Sequence, residues 1–185
     1  MSLAMQAPFP VPRGLAIALA AAGPIAVGGI LAARAHDASP MLAAPAIVFG
    51  VVAATGPALY IATAAAGNAP PLAAVIRAFG IALGAFGIAL AGLILPAAFV
   101  SLSSVSAETT IAATTGAVAI AGYLGLRRLA GELKEAASLG LEEAARPDLT
   151  SGASLAGGVV FVVWAIATAS IAGRLWWDLA VEVVS

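Results

Sequence analysis

Long apolar runs separated by short polar breaks divide this chain into segments long enough to cross a membrane. A hydrocarbon core of roughly 30 Å requires about 20 apolar residues in a helix. The pattern predicts five such spans, at residues 14–33, 41–66, 78–100, 109–126 and 155–175. We therefore predict an all-α integral membrane protein, a bundle of about five transmembrane helices that forms a single membrane domain over residues 1–185.

Two segments in the N-terminal half refine this arrangement. Ala33, Arg34 and Ala35 resemble a signal-peptide cleavage site, but an apolar run of 20 residues exceeds the roughly 7–15 residues of a signal-peptide core. We interpret the run as the first span and leave open whether it is ever cleaved. The short connection at residues 67–71 predicts that the second and third spans are antiparallel neighbours.

Residues 127–146 have a different pattern from the spans. Apolar residues such as Leu129, Leu133 and Ala137 recur at helical spacing, with charges on the other side. This pattern predicts a cytoplasmic amphipathic helix that connects the fourth and fifth spans. The alternative is that this segment docks a cytosolic partner or a neighbouring protomer.

The distribution of Lys and Arg predicts the orientation. One side of the predicted topology holds six of the eight basic residues: Arg13, Arg77, Arg127, Arg128, Lys134 and Arg146. The excess of positive charge places that side, and the N-terminus, in the cytoplasm. Abundant Ala, Gly and Pro are typical of a GC-rich bacterial source, which predicts a plasma (inner) membrane location.

Composition excludes several classes of function. The chain is 62% hydrophobic and 9% charged, against about 25% charged residues in soluble domains. Its net charge of −1 argues against a nucleic-acid partner, and it has no cysteine to ligate a metal or cluster. No Asp, Glu or His falls within a predicted span, which argues against proton-driven transport. We predict no enzyme, no catalytic residue, no cofactor and no metal site.

A repeated pentapeptide, Phe-Gly-Ile-Ala-Leu, marks the third span. It starts at Phe79 and again at Phe86, seven residues later. Small residues let membrane helices approach closely. Steps of three and four place one set of them on a single helix face, namely Gly80, Gly84, Gly87 and Ala91. We predict that this face, with Phe79 and Phe86 on a stripe beside it, packs against another helix, in the same chain, in a second copy or in a partner membrane protein, with membrane lipid around it.

A second group of residues could form a transport pathway. The dipeptides Gly23-Pro24 and Gly56-Pro57 interrupt the first two spans, and discontinuous helices expose backbone polar groups in transporters. Further candidates carry a hydroxyl or a charge: Thr55, Tyr60, Thr114, Thr115 and Arg77. The alternative is structural, because Pro is common in membrane helices, threonines bond back to their own helix, and Arg77 can snorkel to the interface.

Small residues that allow close helix packing are abundant, whereas residues that could act as acids, bases, nucleophiles or metal ligands are few. The leading hypothesis is therefore a non-enzymatic, self-associating structural subunit of a membrane assembly, packed through the third span. The second hypothesis is a small channel or transporter with its pathway near the two Gly-Pro dipeptides.

Overall fold

Five α-helices account for nearly all of the residues that the structure describes. The structure, a computed structural model, describes residues 13–66, 70–103, 106–144 and 150–184. In chain order the helices are α1 (Arg13–Ala35), α2 (Ser39–Ala65), α3 (Leu72–Ser103), α4 (Ala107–Ala144) and α5 (Thr150–Val184). The predicted all-α membrane bundle is confirmed, because these helices are long and apolar and no strand occurs among the described residues.

Four helices carry an apolar stretch that is long enough to cross a membrane. These stretches are Ser39–Ala65, Leu72–Ser103, Ala107–Ala137 and Gly157–Val183. In α1 the corresponding described stretch is shorter, Ala20–Ala35. A multi-pass membrane protein is therefore supported by four helices, and the first span stays a prediction.

The amphipathic segment differs from the sequence-based expectation. Instead of a separate connector at residues 127–146, α4 continues without a break from the predicted fourth span to Ala144. The segment after Leu126 is rich in Leu, Arg, Glu, Lys and Ala, which extend a helix at little cost once it has started. The last two residues of the predicted connector, 145 and 146, lie outside the described residues.

The helices pack in the order α4, α3, α1, α2 and α5, and α5 returns to make limited contact with α4. Helix α1 packs extensively against both α2 and α3. The second and third spans, which were predicted to be direct neighbours, therefore do not pack backbone against backbone. They meet through side chains instead, since Leu59 of α2 joins a hydrophobic cluster with Ala78 and Ala82 of α3.

Glycines set how closely α3 approaches two of its neighbours. A Cβ built on Gly23 of α1 would lie 3.0 Å from the Cβ of Leu90 and 3.2 Å from the carbonyl oxygen of Gly87. A Cβ built on Gly125 of α4 would lie 3.1 Å from the Cβ of Phe86. These distances are shorter than ordinary van der Waals contacts, so a methyl group at either position would require α3 to shift by a few tenths of an ångström.

The connection between α1 and α2 is short and held by local hydrogen bonds. His36 adopts a left-handed backbone conformation with φ of 54°, which reverses the chain direction. The hydroxyl and backbone amide of Ser39 then donate hydrogen bonds to the Asp37 carboxylate. These bonds, the one from the hydroxyl first, lower the pKa of Asp37 because they stabilise its charged form.

The tightest glycine contact lies just before this connection, on α1. A Cβ on Gly28 would overlap the carbonyl oxygen of Pro40 and lie 2.8 Å from the Cα of Met41, both backbone atoms of α2. Gly29, the next residue, has no atom within 4 Å of the same position. Gly28 is therefore required for the contact between α1 and α2, whereas Gly29 takes no part in it.

This difference gives a matched test of the α1–α2 contact. Gly28→Ala should lower the stability of the protein by about 1–3 kcal/mol, because α2 must move to accommodate the methyl group. Gly29→Ala should leave stability unchanged or raise it by up to about 1 kcal/mol, since alanine favours helix and meets no neighbour. Thermal unfolding of both variants in a mild detergent measures the difference. Equal stability of the two variants would contradict the packing described.

Candidate functional site

Small side chains on α4 form its contact with α3. Buried positions recur at steps of three and four along the first two thirds of this helix, at Thr110, Thr114, Ala117, Ala121, Gly125 and Leu129. The Thr114 hydroxyl donates to the carbonyl oxygen of Thr110 at 2.9 Å, so it is satisfied within its own helix. The α3–α4 pair is therefore a close contact formed mainly by small, buried residues of α4.

A chamber of about 480 Å³ lies beside this contact, between α2, α3, α4 and α5. Its walls are formed mainly by aliphatic and aromatic side chains, including Val51, Phe79, Phe86 and Leu129. The volume falls within the roughly 300–1,000 Å³ of small-molecule sites, which are also mostly apolar with a few polar groups. We call this space the chamber, and it is the candidate functional site.

The aromatic ring of Trp164 on α5 forms one wall of the chamber. Its indole N–H donates a hydrogen bond of 2.8 Å to the carbonyl oxygen of Thr55, on α2. The ring packs edge-on against Phe79, with centroids 5.9 Å apart, and lies 5.8 Å from Phe161. Trp164 therefore joins α2, α3 and α5 on one side of the chamber.

A second tryptophan lies where α5 faces α4. The indole N–H of Trp176 donates to the hydroxyl oxygen of Thr115 at 2.8 Å. Thr115 lines both the chamber and a neighbouring, more open cavity of about 690 Å³, which Glu108 and Trp177 also line. The Trp176–Thr115 hydrogen bond thus lies at the boundary between these two spaces.

The chamber opens between α4 and α5. The wall residues on α2 and α3 are buried or half-buried. The wall residues that are exposed on the bundle surface all belong to α4 and α5, namely Thr115, Ala119, Tyr123, Ala169 and Gly173. We call this opening the slit. Because most of its border consists of Ala and Gly, α4 and α5 leave a gap there instead of closing over the chamber.

One polar group in the chamber wall has no partner. Thr168 of α5 is 9% exposed, and its hydroxyl oxygen is buried without a hydrogen bond. Thr55 bonds back to the carbonyl oxygen of Val51 at 2.8 Å, whereas the hydroxyl oxygen of Thr110 on α4 is, like that of Thr168, buried without a partner. An unsatisfied buried hydroxyl costs free energy, so Thr168 is a group from which a ligand could gain a hydrogen bond.

The predicted packing face of α3 lies at the edge of its buried surface. Gly87 is buried, whereas Gly80 and Ala91 are exposed and Gly84 is half-exposed. No atom lies within 4 Å of a Cβ built on Gly80 or Gly84. Most of the face therefore points away from the bundle. Of the two predicted aromatic residues beside it, Phe86 is buried and Phe79 is half-buried, and both line the chamber.

The structure does not bring the predicted pathway residues together. Only Thr115 of this group lines the chamber, while the remaining members, Gly23, Pro24, Thr55, Gly56, Pro57, Tyr60, Thr114 and Arg77, lie elsewhere. Pro24 is buried, Pro57 is exposed, and α1 and α2 continue through both as unbroken helices. Arg77 is exposed near the start of α3. Gly56 and Tyr60 are half-buried.

Sequence reasoning missed Trp164 and Thr168. A signal for them was present, because a tryptophan in the middle of an apolar span needs a hydrogen-bond acceptor for its indole N–H. Thr168 follows four residues later and so lies on the same helix face. The small residues Ala117, Ala121 and Gly125 were likewise a readable pattern for close helix packing.

No protein-family model, curated protein or solved structure matches this chain. Within the described part of the chain, no group of three His, Asp or Glu side chains could hold a metal ion. Function is therefore inferred from the geometry of the helices and the chamber.

The Trp164 hydrogen bond can be tested without losing the ring. Trp164→Phe keeps an aromatic side chain beside Phe79 but removes the donor to Thr55, so we expect a loss of stability of about 1 kcal/mol. Trp177→Phe is the control, since Trp177 is 62% exposed on the same helix. Unfolding temperatures in detergent measure both variants. An equal change in the two would contradict a specific role for the indole of Trp164.

Proposed function

We propose that this chain is a non-enzymatic structural subunit of a membrane assembly, and that it self-associates through the outer side of α3. The observation that carries the proposal is the open glycine face, defined by Gly80, Gly84 and Ala91. No atom of another helix lies within 4 Å of a Cβ built on either of its two glycines, although Gly23, Gly28 and Gly125 on α1 and α4 are tightly packed.

The physical reason concerns the cost of glycine in a helix. Glycine is less favourable than alanine in a helix interior by about 1 kcal/mol. Gly80 and Gly84 gain no contact inside the bundle that would offset this cost. A second copy approaching along the same face would gain backbone dispersion contacts, which drive helix association in lipid. A two-fold symmetric pair is the commonest arrangement for identical chains.

We also propose a bacterial plasma membrane location with the N-terminus in the cytoplasm. The proposal is supported by Arg77, Arg127, Arg128 and Lys134, which belong to the first turns of α3 and the second half of α4, at the same end of the antiparallel pair. Arg34 and Arg174 are the basic residues of the opposite end. The positive-inside rule then orients the bundle.

The C-terminal part of α4, beyond Glu132, is a candidate docking segment for an additional partner in the cytoplasm. It continues about a dozen residues beyond Glu132, at 1.5 Å per residue, past the level at which α3 begins. Its exposed residues include Lys134 and Glu135, and Arg128 pairs with Glu132 at 2.8 Å. We propose that this charged extension is where a cytosolic protein or a neighbouring copy would dock.

Self-association is tested by the mass of the particle in mild detergent. Native mass spectrometry of the wild type should give a defined oligomer, and Gly84→Leu should convert most of it to monomer because the leucine separates the two faces. Gly92→Leu is the matched control, since Gly92 is an exposed α3 glycine on another face with nothing within 4 Å. A wild type that is monomeric, or an oligomer that Gly84→Leu leaves intact, would contradict the proposal.

A small channel or transporter is the second candidate function, favoured by the chamber and by Thr115 at its slit. It ranks second because the walls are apolar and the predicted pathway residues are dispersed. Under this alternative, Thr115→Val should reduce ion flux into liposomes severalfold, by removing the hydroxyl at the boundary between the two cavities. Absence of flux in the wild type would exclude it, and Thr114→Val is the control, since Thr114 is buried in the α3–α4 contact outside the chamber.

A further inference from the structure

The chemistry of the chamber wall limits what can occupy it. The wall includes residues from four helices, and none of them is Asp, Glu, Lys, Arg or His. A charged group moved into such a space would lose its hydration without gaining a counter-ion, which is strongly unfavourable. The occupant must therefore be neutral over the part that lies inside.

The position of the slit limits where the occupant comes from. The exposed part of the wall lies between α4 and α5, in the apolar stretches of both helices. A molecule that enters there comes from the hydrocarbon region of the bilayer. Three of the five residues at the slit, Ala119, Ala169 and Gly173, are small, which favours the entry of a flexible aliphatic chain.

Thr168 adds one polar requirement to this apolar site. Thr168 is a wall residue, and its hydroxyl oxygen is buried without a hydrogen-bond partner. In an apolar surrounding, a hydroxyl or carbonyl oxygen brought by a ligand would satisfy it. An alkane would leave it unsatisfied. An oxygen on the ligand would therefore favour binding over that of an alkane of the same length.

We propose that the chamber binds one neutral lipid from the bilayer, with a long aliphatic chain and a single hydroxyl or carbonyl oxygen, and that Thr168 hydrogen-bonds this oxygen. The aliphatic chain lies against Phe79, Phe86 and Trp164 and enters through the slit. This activity is separate from self-association, because the slit lies between α4 and α5 whereas the open glycine face lies on α3.

Photolabelling tests the proposal on the whole chain. The probe is hexadecanol with a diazirine in its chain, titrated into the purified protein in mild detergent and irradiated, with the adducts mapped by peptide mass spectrometry. We expect one saturable adduct on wall residues of α2, α3, α4 or α5. Unlabelled hexadecanol should compete for it more strongly than hexadecane does.

Two variants address the two parts of the site. Thr168→Val keeps the shape of the side chain and should weaken hexadecanol binding roughly three- to tenfold, with competition by hexadecane unchanged. Gly173→Phe should abolish the saturable adduct by filling the slit. Gly158→Phe is its control, because Gly158 is exposed on the same helix with nothing within 4 Å and lies outside the chamber.

The outcomes separate this proposal from the proposed function. Saturable labelling that persists in Gly84→Leu would support the lipid site whether or not the protein self-associates. Unsaturable labelling spread over the outer helix faces would overturn the site. Saturable labelling that Thr168→Val leaves unchanged, or equal competition by hexadecanol and hexadecane, would overturn the hydrogen bond and with it the proposed ligand class.

Discussion

The close approach of helix backbones at glycine is the contact on which the rest of this bundle depends. Inside a membrane there is no hydrophobic effect between helices, so association relies on dispersion and a few hydrogen bonds. At Gly28 the backbone of α1 touches that of α2, and at Gly23 and Gly125 α3 is approached from two sides. A methyl group at Gly28 could not be accommodated without moving α2.

These close contacts are not distributed evenly, and the chamber is the consequence. The α1–α2 and α3–α4 pairs pack through small residues, whereas α2 and α5 are joined by the ring of Trp164. Helix α5 makes only limited contact with α4, and the small residues on the facing surfaces leave the slit instead of closing it.

Several hydroxyl groups in the apolar interior form their hydrogen bonds within their own helix. Thr55, Thr63, Ser101 and Thr114 donate to carbonyl oxygens three or four residues earlier, which removes their need for a partner on another helix. The predicted pathway hydroxyls at Thr55 and Thr114 are accounted for in this way. The oxygens of Thr110 and Thr168 are buried without a partner, and of these two residues Thr168 lies in the wall of the chamber.

The amino-acid sequence by itself determined the class of the protein and the approximate extent of its helices, because the length of an apolar run and the thickness of a bilayer are both local quantities. It also located a glycine-rich face on α3. Only the tertiary structure decided that Gly87 is buried while Gly80 is open, since helical spacing defines a face but not the neighbour that covers it. The continuity of α4 and the chamber beside Trp164 likewise depend on contacts between residues far apart in the chain, which no local pattern specifies.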